Sequence, residues 1–208
     1  MVASVGAMTA EVRSEIMTDP QLPGWAVPPP EGFTADDLDH LADLPAHTEL
    51  IDGSLVFVSP QQDFHSVIVD LLVTGIRRSL PKAFRVRRQM SVVLGPRQRP
   101  EPDVVVLRAE ALTGPDVTAY QADDVVLAVE VVSPDSETRD RERKPQLYAA
   151  AGIRHFWRIE QNGGRATVYV YELDPATKAY ALTGIHHDKL QLSVPFEIDV
   201  DLTEIERL

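Results

Sequence analysis

Glu130 is the only charged residue in the run V-V-L-A-V-E-V-V, residues 125–132. A stretch of mostly β-branched residues with no polar alternation reads as a strand buried on both faces. A carboxylate there loses hydration worth several kcal/mol unless a partner replaces it. A divalent cation is one such partner, and an Arg or Lys in a structural ion pair is another. Upstream by 27 residues, Pro102–Asp103 opens a second apolar run, V-V-V-L at 104–107. Two acids beside neighbouring buried strands have the makings of a hydrolytic metal site, with a hard cation held by carboxylate oxygen. Taken alone, Asp103 also suits a turn after proline.

Beyond Glu130 come Ser133–Pro134, and then Asp140, Lys144, Tyr148 and Gly152 recur every four residues. On a helix they form one stripe. Pro145 follows Lys144 directly, which places Lys144 at a helix start or a kink. Arg141 and Arg143 stand close by, but arginine is a poor proton acceptor. Each residue also has a plainer reading. Asp140 and Lys144 could be a surface pair worth a few tenths of a kcal/mol. Glu49 could pair with a basic side chain of its own hairpin. His65, near a helix start, suits a hydrogen-bonded structural histidine as well as a ligand. Tyr148 and Trp157 suit core positions with one polar end. His155, His186 and His187 show no metal-ligand spacing.

The pieces stand in this order: E-L-I-D-G-S-L at 49–55, Ser59–Pro60, His65, Pro102–Asp103, E-V-V-S-P at 130–134, Asp140, Lys144, Tyr148, and G-I-R-H-F-W at 152–157. This arrangement resembles the PD-(D/E)XK nuclease superfamily and, more closely, the Uma-two family of restriction-endonuclease-like proteins, over roughly residues 33–200. The resemblance implies a metal-dependent endonuclease that hydrolyses DNA phosphodiester bonds. It implies Mg²⁺ or Mn²⁺ on Asp103, Glu130 and the backbone carbonyl of Val131, with Glu49 as a further acidic ligand, direct or through water. Lys144 would hold or activate the attacking water and offset charge on phosphorus. His65, Asp140 and Tyr148 would support them. The superfamily lysine usually lies two residues after the glutamate, where this chain has Val132; Lys144 matches the lysine that the Uma-two family supplies from the following helix. The alternatives are a catalytically inactive binding or regulatory protein on the same fold, and a hydrolase of smaller phosphoesters.

The elements that must position these residues follow from periodicity and turn chemistry. Thr34 can cap a short helix, A-D-D-L-D-H-L, with Asp37 in its first turn. Asp52–Gly53 between apolar strands predicts a hairpin. The spacing of Val67, Ile68, Leu71, Leu72, Ile76 and Leu80 predicts a helix from about Phe64 to Leu80. Residues 84–94 read as one long strand, and 108–124 as a loop with one helical turn. After strand 125–132 a helix runs to about Ala151, ended by Gly152. Strands 153–159, 166–173 and 179–183 form a meander, and one more apolar segment lies near Leu190–Val194. The predicted fold is α/β and restriction-endonuclease-like: a mixed, mostly antiparallel sheet with flanking helices. It forms a single domain over 33–208 after an extended or mobile leader at 1–32, which is polar and proline-rich.

The chain of 208 residues is long enough for one domain with a substantial core. It has no cysteine, so disulfides and thiolate zinc sites are excluded, in keeping with a cytoplasmic location. The first residues lack the pattern of a signal peptide, and Met8 or Met17 could be the true start. No apolar run approaches the roughly 20 residues that span a bilayer. Net charge is −12, which argues against a protein that coats nucleic acid. The charge is uneven, however. Leu71–Pro100 holds no acid but carries Arg77, Arg78, Lys82, Arg85, Arg87, Arg88, Arg97 and Arg99; with Arg139, Arg141, Arg143 and Lys144 these are 12 of the 20 Lys and Arg. Such a local basic surface could meet DNA, above all through Arg77, Arg78, Arg85, Arg87 and Arg88, or could be a solvated face. A homodimer is expected, since enzymes that cut both strands commonly need two sites.

Overall fold

The apolar run around Glu130 forms a strand in the middle of a six-stranded sheet, and the fold is built outward from it. The computed structural model describes residues 23–207. Its elements are β1 (Glu49–Ile51), β2 (Ser54–Val56), α1 (Asp63–Ser79), β3 (Phe84–Arg88), β4 (Ser91–Val93), β5 (Val104–Arg108), β6 (Ala119–Gln121), β7 (Val125–Val131), α2 (Lys144–Ala150), β8 (His155–Asn162), β9 (Arg165–Asp174), β10 (Ala179–His186), β11 (Lys189–Leu192) and β12 (Ile198–Asp201). The main sheet runs β10-β9-β8-β7-β5-β3, and only the β7–β8 pairing is parallel. That parallel step needs a crossover, which α2 and the turn before it provide. The fold is therefore the mixed, mostly antiparallel α/β class that the sequence predicts. The first 22 residues of the expected leader lie outside the described residues.

Both faces of the sheet are covered. On one face α1 and the β11–β12 hairpin pack over Val104, Val106, Leu127, Val129, Val131, Trp157 and Ile159. On the other, Tyr148 of α2 and Val92 of β4 pack over Val105, Leu107, Ala128 and Phe156. Side chains alternate along a strand, so Glu130 shares the α2 face with Ala128. This is why an acid interrupts the apolar run: it is aimed at the crossover helix. A fully buried Leu or Val contributes about 1.5–3 kcal/mol, and this double-sided core supplies the rigidity that holds the acid in place. Among the described residues no helix is long and apolar enough to cross a membrane, a statement that leaves strands aside.

Four local expectations change. Residues 108–124, expected as a loop with one helical turn, hold strand β6 and two 3₁₀ turns, Ala109–Ala111 and Ala122–Asp124. The strand predicted over 84–94 is two strands in different sheets: Gln89 takes a positive φ of 50°, β3 pairs with β5, and β4 pairs in parallel with β6. The capped helix after Thr34 is only a 3₁₀ turn, Asp37–Asp39, although Asp37 Oδ2 does accept from the Thr34 backbone and hydroxyl as a cap should. The crossover helix, starting at Glu137, carries a π turn, Arg139–Arg143, before α2. The Asp52–Gly53 hairpin forms as predicted, both residues having positive φ. Gly152, with φ of 82°, ends α2, and the Ile153 amide donates to the Tyr148 carbonyl across it.

Gly75 is where α1 meets β12. A Cβ there would stand 2.5 Å from a methyl of buried Val200. Alanine gains about 1 kcal/mol of helix propensity, while overpacking costs about 1–3 kcal/mol. We expect Gly75→Ala to lower stability in urea unfolding, and Val200→Ala in the same chain to restore part of the loss. A Gly75→Ala chain more stable than its parent would contradict this packing.

Candidate active site

The crossover brings the expected residues together. Glu130, Glu49, Asp140 and Lys144 are all buried, with 1, 2, 2 and 5% of their surfaces exposed. Lys144 Nζ lies 2.9 Å from Glu49 Oε1, 3.1 Å from Glu130 Oε2 and 3.4 Å from Asp140 Oδ1. The other Glu130 oxygen accepts a hydrogen bond from the Tyr148 hydroxyl. The four-residue stripe of Asp140, Lys144 and Tyr148 thus faces the central strand from one side. The proline after Lys144 does not turn it away, since Lys144 opens α2 with helical φ and ψ. Pro145 comes just after the π turn, where the regular i to i−4 bonding of the helix is already interrupted, so its missing N–H is accommodated there.

Asp103 precedes β5 at the same end of the sheet. Its Oδ2 accepts from the Val131 amide at 2.7 Å, and its Oδ1 lies 2.9 Å from His65 Nε2. This bond ties the start of β5 to the end of β7. Glu49 arrives from another direction: Leu50 exchanges backbone hydrogen bonds with Arg99, which lays β1 beside the segment leading to Asp103. The Glu101 amide then donates to Glu49 Oε1 at 2.7 Å. The surface-pair reading of Asp140 and Lys144 does not hold, because both are buried.

Electrostatics follow from one cation among several acids. Burial, reinforced by Asp140, Asp103 and Glu49, pushes the Glu130 carboxyl well above the usual range, although Lys144 opposes this. Burial also raises Asp140. For Lys144 burial acts downward, but Glu130, Glu49, Asp140 and Asp103 outweigh it and hold the amine protonated far above its ordinary value. Burial and the neighbouring Glu130 keep the Tyr148 phenol neutral, hence a donor. Lys144 is therefore a fixed positive charge and not a proton acceptor.

A cavity of about 420 Å³ opens onto this cluster. Glu49, Glu101, Asp103, Glu130, Asp135 and Asp140 all line it, facing Lys144, Arg139, His47 and His65. Sequence reasoning missed Glu101, Arg139 and His47. Glu101 stands two residues before Asp103, and its side chain pairs with His47. The string R-P-E-P-D could have flagged it. None of the five arginines expected to meet DNA lines the cavity. Arg77, Arg78, Arg85 and Arg88 are exposed, Arg87 is half-buried, and Arg88 pairs with Asp70. Arg99, counted with them as basic surface, is buried and bonds Ala35 and Asp39. Among the described residues no three His, Asp or Glu side chains stand as a ready-made metal group, because the Lys144 ammonium sits between the acids. The donor set still fits a hard cation: it is all oxygen, its acids outnumber its permanent cations, and buried Asp140 Oδ1 has no partner beyond the Lys144 ammonium at 3.4 Å.

A family model described as "Uma2: Putative restriction endonuclease" matches residues 35–203, most of the chain. The chain belongs to the Uma2 family. Among solved structures, this Uma2 member is similar to a crystal structure described as "a putative nuclease belonging to DUF820" from Anabaena variabilis, with 17% identity, 83% of this chain and 97% of that one covered, and a TM-score of 0.65. That likeness is one of fold. A structure of NucC from P. aeruginosa in its cAAA-bound form matches at 12% identity over 62% of this chain and 85% of that one, with a TM-score of 0.33. Among curated proteins none matches.

Proposed function

We propose that this Uma2 member is a metal-dependent endonuclease that hydrolyses DNA phosphodiester bonds. The observation that carries the reading is the cavity at the end of β7, where Glu130 and Glu49 meet a single buried ammonium and Asp103, held by His65 and the Val131 amide, lines the same wall. Asp103, Glu130, the Val131 carbonyl and Glu49 would hold Mg²⁺ or Mn²⁺. When bound, the cation supplies a Lewis acid for the phosphoryl oxygen and lowers the pKa of the attacking water. The remaining work falls to the chain. Lys144 would hold the attacking water and offset charge developing on phosphorus, its N–H donors coming free as Glu49 and Glu130 turn to the cation. Tyr148 and Asp140 fix Lys144 and Glu130 in position, while His65 holds Asp103. The exposed arginines of α1 and β3 offer backbone contacts to DNA. A homodimer would present one such site to each strand; a mass of twice 23.0 kDa in light scattering is the expected result, and a monomer mass would contradict it.

The test is plasmid nicking with Mg²⁺ or Mn²⁺ by the parent chain, Asp103→Ala and Glu130→Ala. Nicking confined to the parent is expected. Equal nicking by all three would point to a contaminant and defeat the assignment.

One observation favours the second reading, an inactive binding or regulatory protein. Lys144 already satisfies three carboxylates, as a purely structural ion cluster would. Calorimetry with Mg²⁺ and Mn²⁺ separates the two: absence of heat together with absence of cleavage would favour this alternative.

A further inference from the structure

Three arginines lie on the turn before α2, and two are occupied. Arg141 pairs with Glu137 and Glu160, and Arg143 with Asp52. Arg139 differs. Among the described residues its guanidinium makes no ion pair or hydrogen bond, its Nε is shielded from solvent without a partner, and it lines the cavity. Buried donors are almost always satisfied, so an unmet one at a cavity wall calls for a ligand.

Backbone geometry explains how Arg139 reaches the wall. Arg139 and Lys144 are five residues apart, which on an α-helix would turn them about 140° away from each other. Here the Lys144 amide donates to the Arg139 carbonyl, the hydrogen bond of a π turn. A π turn stacks residues five apart, and such turns recur at functional sites. Arg139 and Lys144 thus both line the cavity. Their charges are not equivalent. Three carboxylates neutralise Lys144 at close range, whereas Arg139 keeps its charge and its planar fork. A fork of parallel N–H donors matches two oxygens of a phosphate.

We propose that Arg139 grips a backbone phosphate of the DNA strand in the cavity, next to the scissile bond, and so sets where the strand lies relative to Lys144 and Glu130. This deepens the nuclease reading and rests on it. Arg139 is a substrate-binding residue. Its contribution is in strand affinity and needs no metal.

The experiment is fluorescence anisotropy with a labelled DNA duplex and its single strand, in chelator, over a salt series. The proteins are the parent chain, Arg139→Ala, Arg139→Gln and Arg139→Lys. Arg165→Ala, at the exposed start of β9, controls for loss of one charge. Arg139→Ala should bind about tenfold more weakly, with a log–log salt slope shallower by about 1, as expected for one lost phosphate contact. Lys should recover part of the affinity, and Arg165→Ala should stay within about twofold of the parent. The thermal midpoint of Arg139→Ala should match the parent's, and if Ala collapses the turn, Arg139→Gln decides instead. Affinity of the neutral Arg139 variants equal to that of Arg165→Ala, while the parent binds and cuts, would overturn the inference alone. A parent chain that neither binds nor cuts DNA would remove the nuclease reading and this inference with it.

Discussion

Replacing Lys144 with methionine should cost about 3–5 kcal/mol of stability near neutral pH, because it strands buried acids without a cation. Glu49, Glu130 and Asp140 each lie within 3.4 Å of the ammonium and are nearly inaccessible to water. The loss should depend on pH in a definite direction. In the variant the Glu130 and Asp140 carboxyls, already raised by burial in the parent, lose the Lys144 charge that opposes the rise, so their folded-state pKa values lie further above the unfolded ones. A group raised in this way contributes stability that is complete below its unfolded pKa and fades as pH rises through the folded value. Acidification should therefore rescue the variant, and its deficit relative to the parent should shrink between about pH 8 and pH 5. Urea unfolding at several pH values measures this. A deficit below about 1 kcal/mol, or one that stays constant with pH, would show that Lys144 does not serve as the counter-charge.

The acids themselves should carry the largest effect on catalysis. Glu130→Gln keeps an oxygen for the Tyr148 hydroxyl and leaves Lys144 with Glu49 and Asp140. Asp103→Asn keeps an acceptor for the Val131 amide. Neither change should unfold the chain, yet each removes a charge that would hold the cation. If that cation contributes several kcal/mol to the transition state, each variant should cleave about 10³-fold more slowly or worse under single-turnover conditions. Loss of less than about tenfold from Glu130→Gln would remove Glu130 from the chemistry.

Much of this arrangement could be read from residue order, for reasons that differ between its parts. Glu130 was conspicuous because an apolar strand tolerates no unexplained charge. The stripe from Asp140 to Tyr148 was legible because a period of four survives the change from π turn to α-helix. Other features are set by contacts distant in sequence. Glu49 meets Glu101 only because Leu50 pairs with Arg99, and no local pattern encodes that pairing. Gln89 gives no sign that its backbone turns to positive φ and parts β3 from β4. The basic cluster misled in one respect: composition cannot separate buried Arg99, a structural clamp, from exposed Arg88 or from Arg139 at the cavity. The π turn was equally hidden, since its sequence, R-D-R-E-R, would suit an ordinary helix.

The central claim is that Asp103 and Glu130 close on one divalent ion beside Lys144. Crystals soaked in Mn²⁺, with data collected for anomalous scattering, test it most directly. The account predicts one strong peak in the cavity, in contact with both carboxylates. Absence of that peak at a Mn²⁺ concentration that supports nicking, or a peak bound elsewhere, would contradict it.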